Sequence, residues 1–162
     1  MSQPDSNVAV TWLHLGLSQY YAATSRQDTT LALASIRMAT MLKPLSSNYW
    51  TVLAQIAERT DSVSAAESAF RTAIFLDSAN SPAYFGLGSI ALKSGRYDEA
   101  ILNLNHALDQ DDKNKYAHYA IARAYVRRKK NGLAVRHYKK FLELDPDGPY
   151  SRDVRKELAR LK

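Results

Sequence analysis

Apolar residues recur along this chain at spacings typical of helices that bury one face. Spacings of i, i+3, i+4 and i+7 place side chains on one side of an α-helix. One such face comprises Trp50, Leu53, Ala54 and Ala57, and the next comprises Ala66, Phe70 and Ala73. The polar segment 60–62 separates the two faces and offers Asp or Ser as a helix cap. The pattern therefore predicts two consecutive helices joined by a short turn.

The same arrangement returns at a fixed period of about 34 residues, within the range that marks helical repeat architectures. Small residues lie near the start of each second helix, large ones follow four positions later, and mostly small ones follow after a further three. The three columns are Ala32, Ala66, Ala100 and Ala134; Ile36, Phe70, Leu104 and Tyr138; and Ala39, Ala73, Ala107 and Phe141. Small residues let neighbouring helices approach closely, and large ones fill the space beside them. A single helix pair cannot bury its own apolar face, so the pairs are predicted to stack.

The period divides the chain into units of one predicted domain, residues 1–162. Residues 47–80, 81–114 and 115–148 keep the register without a break, whereas 9–46 form a divergent first unit. In that unit Trp12 and Gly16 lie four residues too early for the second-helix columns, so we expect a longer first helix or a four-residue insertion near residues 27–30. Residues 150–162 are amphipathic and are expected to form a helix that caps the last unit.

This pattern resembles the tetratricopeptide repeat, which has two antiparallel helices per unit, Trp-x2-Leu-Gly early and Ala, Phe, Ala and Pro late. The resemblance implies an all-α fold, a right-handed α-α superhelix or solenoid of helix-turn-helix repeats with a C-terminal capping helix. It also implies a protein that binds partners without catalysing a reaction. In that family the first helices of successive repeats line a concave groove that receives a segment of the partner.

Carried over position by position, the family's groove predicts a set of partner-contacting residues here. They are Asn48, Thr51, Gln55, Arg59, Phe85, Ser89, Lys93, Tyr116, Tyr119, Arg123 and Arg127. The divergent first unit offers a second candidate interface, because no repeat precedes it to cover apolar side chains. Its residues are Leu13, Leu17, Tyr20 and Tyr21.

Charge sharpens the prediction for the partner. The formal net charge is +6, yet residues 1–80 hold 5 Lys and Arg against 6 Asp and Glu, while residues 81–162 hold 17 against 10. Tyr116, Tyr119, Arg123 and Arg127 recur at helical spacing within this basic half, and Tyr and Arg are frequent binding hot spots. An acidic or carboxylate-bearing segment is the natural complement of these cations, and the alternative that they only solvate a helical surface stays open.

No catalytic or metal-binding pattern emerges from the sequence. The chain has no Cys, and His14, His106, His118 and His137 lie outside any zinc-binding spacing. The sequence predicts no enzyme, no cofactor and no metal site. It also predicts neither a secretory signal nor a membrane span, and hence a cytoplasmic protein.

Three functions remain open, and the first is favoured. The leading hypothesis is an adaptor, scaffold or assembly factor that binds a peptide segment of another protein in the groove. The second is nucleic-acid binding, above all of RNA, through the basic second half with its interleaved Tyr residues. The third is self-association into a homo-oligomer through the apolar N-terminal end.

Overall fold

The computed structural model describes residues 6–60 and 62–161, and this part of the chain is entirely helical. Its nine helices, with no strand among those residues, are α1 Ser6–Ala22, α2 Arg26–Leu42, α3 Ser47–Arg59, α4 Val63–Leu76, α5 Ser81–Lys93, α6 Tyr97–Gln110, α7 Lys115–Arg127, α8 Asn131–Leu144 and α9 Ser151–Arg160. The expected fold class, an all-α helical repeat, is confirmed. The chain divides into two compact units, Met1–Gly86 and Leu87–Lys162, with the boundary inside α5.

In the first unit, consecutive helices pack through the columns of the repeat. Ala66, Phe70 and Ala73 of α4 are fully buried, and α3 buries Leu53 and Ala54 among other residues. Phe70 is the largest of these side chains, and it extends to α5, where a Cβ on Gly86 would overlap its ring. Gly86 is therefore required by close packing inside a helix.

The second unit is built in the same way. Ala100 and Leu104 of α6 are buried, and Gly88 of α5 allows them to approach, since a Cβ there would lie 2.5 Å from the Leu104 Cγ. Farther along, Tyr138 and Phe141 of α8 form a core with residues of α7 and α9. The large members of the repeat columns are thus core residues, as the pattern predicts.

The first helix pair reaches the same packing with longer helices. Gly16 faces Ala32 and Ile36 as Gly88 faces Ala100 and Leu104. Helix α2 begins six residues before Ala32, however, whereas α6 begins three residues before Ala100. The extra residues form an additional turn at the start of α2. Ser25 caps that turn, since its hydroxyl accepts from the Asp28 N–H and the Asp28 carboxylate accepts from the Ser25 N–H.

The α5–α6 and α7–α8 turns each place one residue in the left-handed backbone region. Gly95 has φ 75° in the α5–α6 turn, and Lys129, at the same position of the next repeat, has φ 56° in the α7–α8 turn. Glycine adopts this conformation without steric cost, whereas the Cβ of lysine opposes it. Position 129 therefore keeps the turn geometry at some expense in stability.

Helix α9 packs against α8 through its apolar side. Val154 is buried among Ala122, Tyr138 and Phe141, and Leu158 and Leu161 pack at the edge of the same core. No helix in the described ranges combines the length and apolarity that crossing a bilayer requires.

Candidate functional site

A cleft of about 480 Å³ lies in the second unit, on the surface that α7 and α9 share. Tyr119, Arg123 and Arg127 follow one another at intervals of four residues, so they lie along one face of α7. The complete lining is Tyr119, Arg123, Val126, Arg127, Tyr138, Asp153, Val154, Glu157 and Arg160. Its volume falls in the range of ligand-binding clefts in proteins.

Aromatic rings form one end of the cleft. Tyr119 stacks on Tyr150 with ring centres 5.2 Å apart, and its ring centre lies 5.5 Å from that of Phe141 and 6.2 Å from that of Tyr138. Burial of Tyr138 raises the pKa of its hydroxyl to about 12, so the group remains protonated at physiological pH. These contacts hold Tyr119 in place before a partner arrives, and that reduces the entropy lost on binding.

The arginines of α7 are not committed to ion pairs. The Arg123 guanidinium carbon lies 5.7 Å from the centre of the Tyr119 ring, a cation–π contact. Within residues 6–60 and 62–161, no carboxylate lies within the 4.0 Å ion-pair distance of Arg123 or Arg127. Both side chains are exposed. They are therefore available to an anionic group that enters the cleft.

The acids of α9 contribute the opposite charge to the same cleft. Asp153 lies 3.6 Å from the Lys156 ammonium, and Glu157 lies 2.9 Å from an Arg160 guanidinium nitrogen. The sequence predicts an amphipathic capping helix over residues 150–162 but does not place its acids beside the arginines of α7. The amphipathic pattern of α9 identifies which of its faces is buried, but not which neighbouring helix its polar face meets.

The remaining predicted groove residues are distributed over both units. In the first unit Asn48, Gln55 and Arg59 are exposed on α3, and Phe85 is half-buried on α5; in the second, Ser89 is half-buried and Lys93 exposed. Tyr116 is exposed, does not line the α7–α9 cleft, and has the Lys115 ammonium 5.1 Å from its ring centre. Of the four α7 residues predicted together, the structure gathers three around the cleft.

Thr51 is not available to a partner, which corrects the sequence-based assignment. Its side chain is only 6% exposed. The hydroxyl donates to the Ser47 carbonyl oxygen and accepts from the Asn80 side-chain amide. Asn80 lies at the end of α4's connection to α5 and reaches back to α3, so the position is filled from within the fold.

The candidate N-terminal interface also differs from the expectation. Leu13 packs against the buried cluster of Ala9, Ala39 and Tyr49, and Leu17 is half-buried. Tyr21 is 80% exposed, while Tyr20 is half-buried, and the centre of its ring lies 4.8 Å from the Arg59 guanidinium carbon. Among the described residues of this helix pair, the large apolar side chains exposed besides Tyr21 are Val8, Leu15, Leu31, Met38 and Met41. Their spacing of seven or three residues on each helix is the signal that the repeat alignment passed over.

Comparisons with known proteins agree with this architecture. The family model described as Tetratricopeptide repeat matches residues 85–149. This part of the chain therefore matches the tetratricopeptide repeat family. None of the curated proteins matches the chain's sequence.

Several solved tetratricopeptide-repeat structures are similar to the chain. The crystal structure of MamA is 27% identical with a TM-score of 0.75, over 88% of this chain and 81% of MamA. PilF of Pseudomonas aeruginosa is 24% identical with a TM-score of 0.80, over 96% and 68% of the two chains. YrrB, described as a tetratricopeptide-repeat protein with an unusual peptide-binding site, is 18% identical with a TM-score of 0.75, over 94% and 76%.

Two histidines of the last tetratricopeptide helix pair form a hydrogen bond between α7 and α8. The Nδ1 atoms of His118 and His137 are 3.0 Å apart, and Nε2 of His118 lies 3.2 Å from the Asp112 carbonyl oxygen. A carbonyl oxygen only accepts, so Nε2 of neutral His118 carries the proton and donates. Nδ1 of His118 then accepts from Nδ1 of His137. Within the described residues, no group of three or more potential ligands that could hold a metal ion is found.

We expect this histidine pair to make the protein less stable in mild acid. Burial lowers the pKa of His118, and burial, together with His118 and Arg136 nearby, lowers the pKa of His137 from 6.5 to about 4. Between pH 6.5 and about pH 4, the unfolded chain binds more protons at position 137 than the folded chain does. Stability is therefore full above pH 6.5 and falls as the pH drops towards about 4.

Thermal melting over that pH window tests the expectation. His137→Gln should show a shallower decline of Tm with falling pH than wild type. His106→Gln is the matched control, because His106 is an exposed residue. Equal slopes for wild type and His137→Gln would refute the assignment.

Proposed function

We propose that this protein is a non-enzymatic adaptor or assembly factor that binds a peptide segment of another protein. The observation that carries the proposal is the α7–α9 cleft, where Arg123 and Arg127 lie without ion pairs beside the fixed ring of Tyr119. Arg and Tyr side chains are among the types most often found as binding hot spots. YrrB has the same fold and is described with a peptide-binding site, so the fold is compatible with this mode of binding.

The position of the arginines in the repeat supports the same proposal. Arg127 occupies the repeat position that Lys93 and Arg59 occupy in the two preceding repeats, and all three side chains are exposed. A cation at this position of α3, α5 and α7 favours an anionic partner, because unpaired guanidinium groups gain charge-assisted hydrogen bonds from carboxylates. Lys93 makes interactions of its own, so the proposal rests on the α7 pair.

Partner capture with paired variants tests the proposal. Wild type and Arg123→Glu/Arg127→Glu are immobilised and exposed to lysate of the source cells, with and without nuclease. The control is Arg136→Glu/Lys139→Glu, which makes the same change in charge at two exposed residues of α8 outside the cleft. We expect the cleft variant to bind a defined protein partner roughly tenfold more weakly or worse, since like charges brought together at an interface cost several kcal/mol.

The outcomes separate peptide binding from the alternatives. Retention of every partner by the cleft variant would refute the proposal. A capture that disappears with nuclease would favour nucleic-acid binding instead. Circular dichroism melting of both variants controls for folding, because all four substituted side chains are exposed and their replacement should leave Tm nearly unchanged.

A further inference from the structure

The α7–α9 cleft has two walls of opposite charge that do not pair with each other. Arg123 and Arg127 line it from α7, and Asp153 and Glu157 line it from α9, together with Arg160, which pairs with Glu157. Within the described residues no ion pair of 4.0 Å or less joins the two walls. A space remains between charges that would attract each other if the helices were free to approach.

The packing of α9 explains why this space stays open. Val154 is 1% exposed in the shared core, and the Ser151 hydroxyl donates to the Asp145 carbonyl oxygen behind it. Leu158 packs at the edge of the same core. These contacts fix the start and the inner side of α9, so its acids are held at a set distance from the α7 arginines.

The acids of α9 form only weak ion pairs with neighbouring residues of the same helix. Asp153 with Lys156, and Glu157 with Arg160, are pairs three residues apart on the helix surface, and in each the cation is largely exposed. Exposed pairs of this kind contribute little to stability. An incoming cation therefore meets carboxylates that change partners at small cost.

The cleft also has an apolar part on α7. Tyr119 and Val126 are both half-buried and line the cleft, and their separation of seven residues places them on one face of the helix. These two side chains form an apolar strip that an apolar ligand residue would contact. The cleft thus presents cations and an apolar strip on α7, and acids on α9.

We propose that the cleft recognises a peptide segment with an acidic residue directed at α7, an apolar residue over the strip, and a basic residue directed at α9. This inference rests on the proposed function and specifies the chemistry of its ligand. A uniformly acidic segment satisfies Arg123 and Arg127 but is repelled by Asp153 and Glu157. A nucleic-acid backbone, which carries negative charge only, meets the same repulsion.

Selection from a phage-displayed library of random peptides tests the inference and requires no assumption about which protein is the partner. The full chain is the bait, in three forms: wild type, Asp153→Asn/Glu157→Gln, and Arg123→Glu/Arg127→Glu. The amide replacements keep the shape of the α9 side chains and remove only their charge. We expect wild type to enrich segments with an acid and a base flanking an apolar residue, and the amide variant to enrich segments with the acid alone.

Affinities of synthetic peptides then measure the coupling. For an enriched peptide, the amide variant should bind roughly fivefold more weakly than wild type, whereas a peptide with its basic residue replaced by alanine should bind both forms equally. The inference would be overturned if wild type and the amide variant both selected purely acidic segments and Arg123→Glu/Arg127→Glu lost them. Peptide binding in the cleft would still stand in that case. Enrichment that survives Arg123→Glu/Arg127→Glu would overturn both.

Discussion

Replacing Phe70 with alanine is expected to lower the free energy of unfolding by about 3–5 kcal/mol, the range for a fully buried phenylalanine. The ring is 0% exposed and lies in the core that α4 forms with its neighbours. It also fills the space above Gly86, where no side chain from α5 is present to take its place. Its removal therefore leaves a cavity as well as losing buried apolar surface. A loss of this size is a large part of the stability of a typical domain.

Phe75 provides the matched control on the same helix. Its ring is 88% exposed, so Phe75→Ala should change the free energy of unfolding by no more than about 0.5 kcal/mol. Urea unfolding followed by circular dichroism measures both variants. Similar losses for the two substitutions would contradict the assignment of Phe70, and not Phe75, to the core.

The repeat pattern by itself distinguishes these two phenylalanines. Phe70 stands in the column of Ile36, Leu104 and Tyr138, and all four are buried. Phe75 stands in no such column. The period is informative because each packed position is defined by two successive helices, and the same small and large residues must recur for the pairs to stack.

The sequence was less informative where a side chain interacts outside the repeated pattern. Thr51 was predicted to face a partner because its position in the unit does so in the family, but the amide of Asn80 occupies its hydroxyl. Likewise, the α9 wall of the cleft follows the last repeat, so no column relates Asp153 or Glu157 to Arg123. Such contacts depend on one particular pair of residues, which a shared period does not encode.

The candidate site was therefore only half predictable. Tyr119, Arg123 and Arg127 share a face of α7 because of helical spacing alone, and the structure places them on one cleft. The acids opposite them follow from how Val154 and Leu158 seat α9 on the core. The difference matters for function, because the arginines by themselves predict an acidic ligand, whereas both walls together predict a ligand that carries both charges.

Asn80→Ala is the second substitution for which we expect a large effect, about 2–4 kcal/mol of lost stability. The Asn80 side chain is 5% exposed, and its amide nitrogen donates to the hydroxyl oxygens of Ser47 and Thr51. Its carbonyl oxygen accepts from the Ala83 N–H at the start of α5. Alanine would remove all three bonds and leave the Thr51 hydroxyl and the Ala83 N–H buried without this partner.

Asn114, which holds the same position in the next repeat, separates the capping contribution from the rest of this network. The Asn114 side chain accepts from the Ala117 N–H in the same way, but Asn114 is only half-buried. The residue that corresponds to Thr51 one repeat later is Phe85, which has no hydroxyl to accept from the Asn114 amide. Asn114→Ala should therefore cost only the loss of a helix cap, about 1 kcal/mol. Urea unfolding of the two variants gives the comparison, and equal losses would contradict the role assigned to the Asn80 amide.

A double-mutant cycle with Thr51→Val identifies the bond that makes Asn80 different. Thr51→Val keeps the shape of the side chain but removes the hydroxyl that accepts from Asn80. If that bond contributes to stability, Thr51→Val should cost less in the Asn80→Ala background than in wild type, by about 1 kcal/mol. Strict additivity would mean that the two side chains act independently and that Thr51 is buried for its shape alone. A positive coupling would show that the Thr51 hydroxyl stabilises the fold. Its single hydrogen is already donated to the Ser47 carbonyl oxygen, and its oxygen accepts from the Asn80 amide, so both of its hydrogen-bonding roles are filled within the fold.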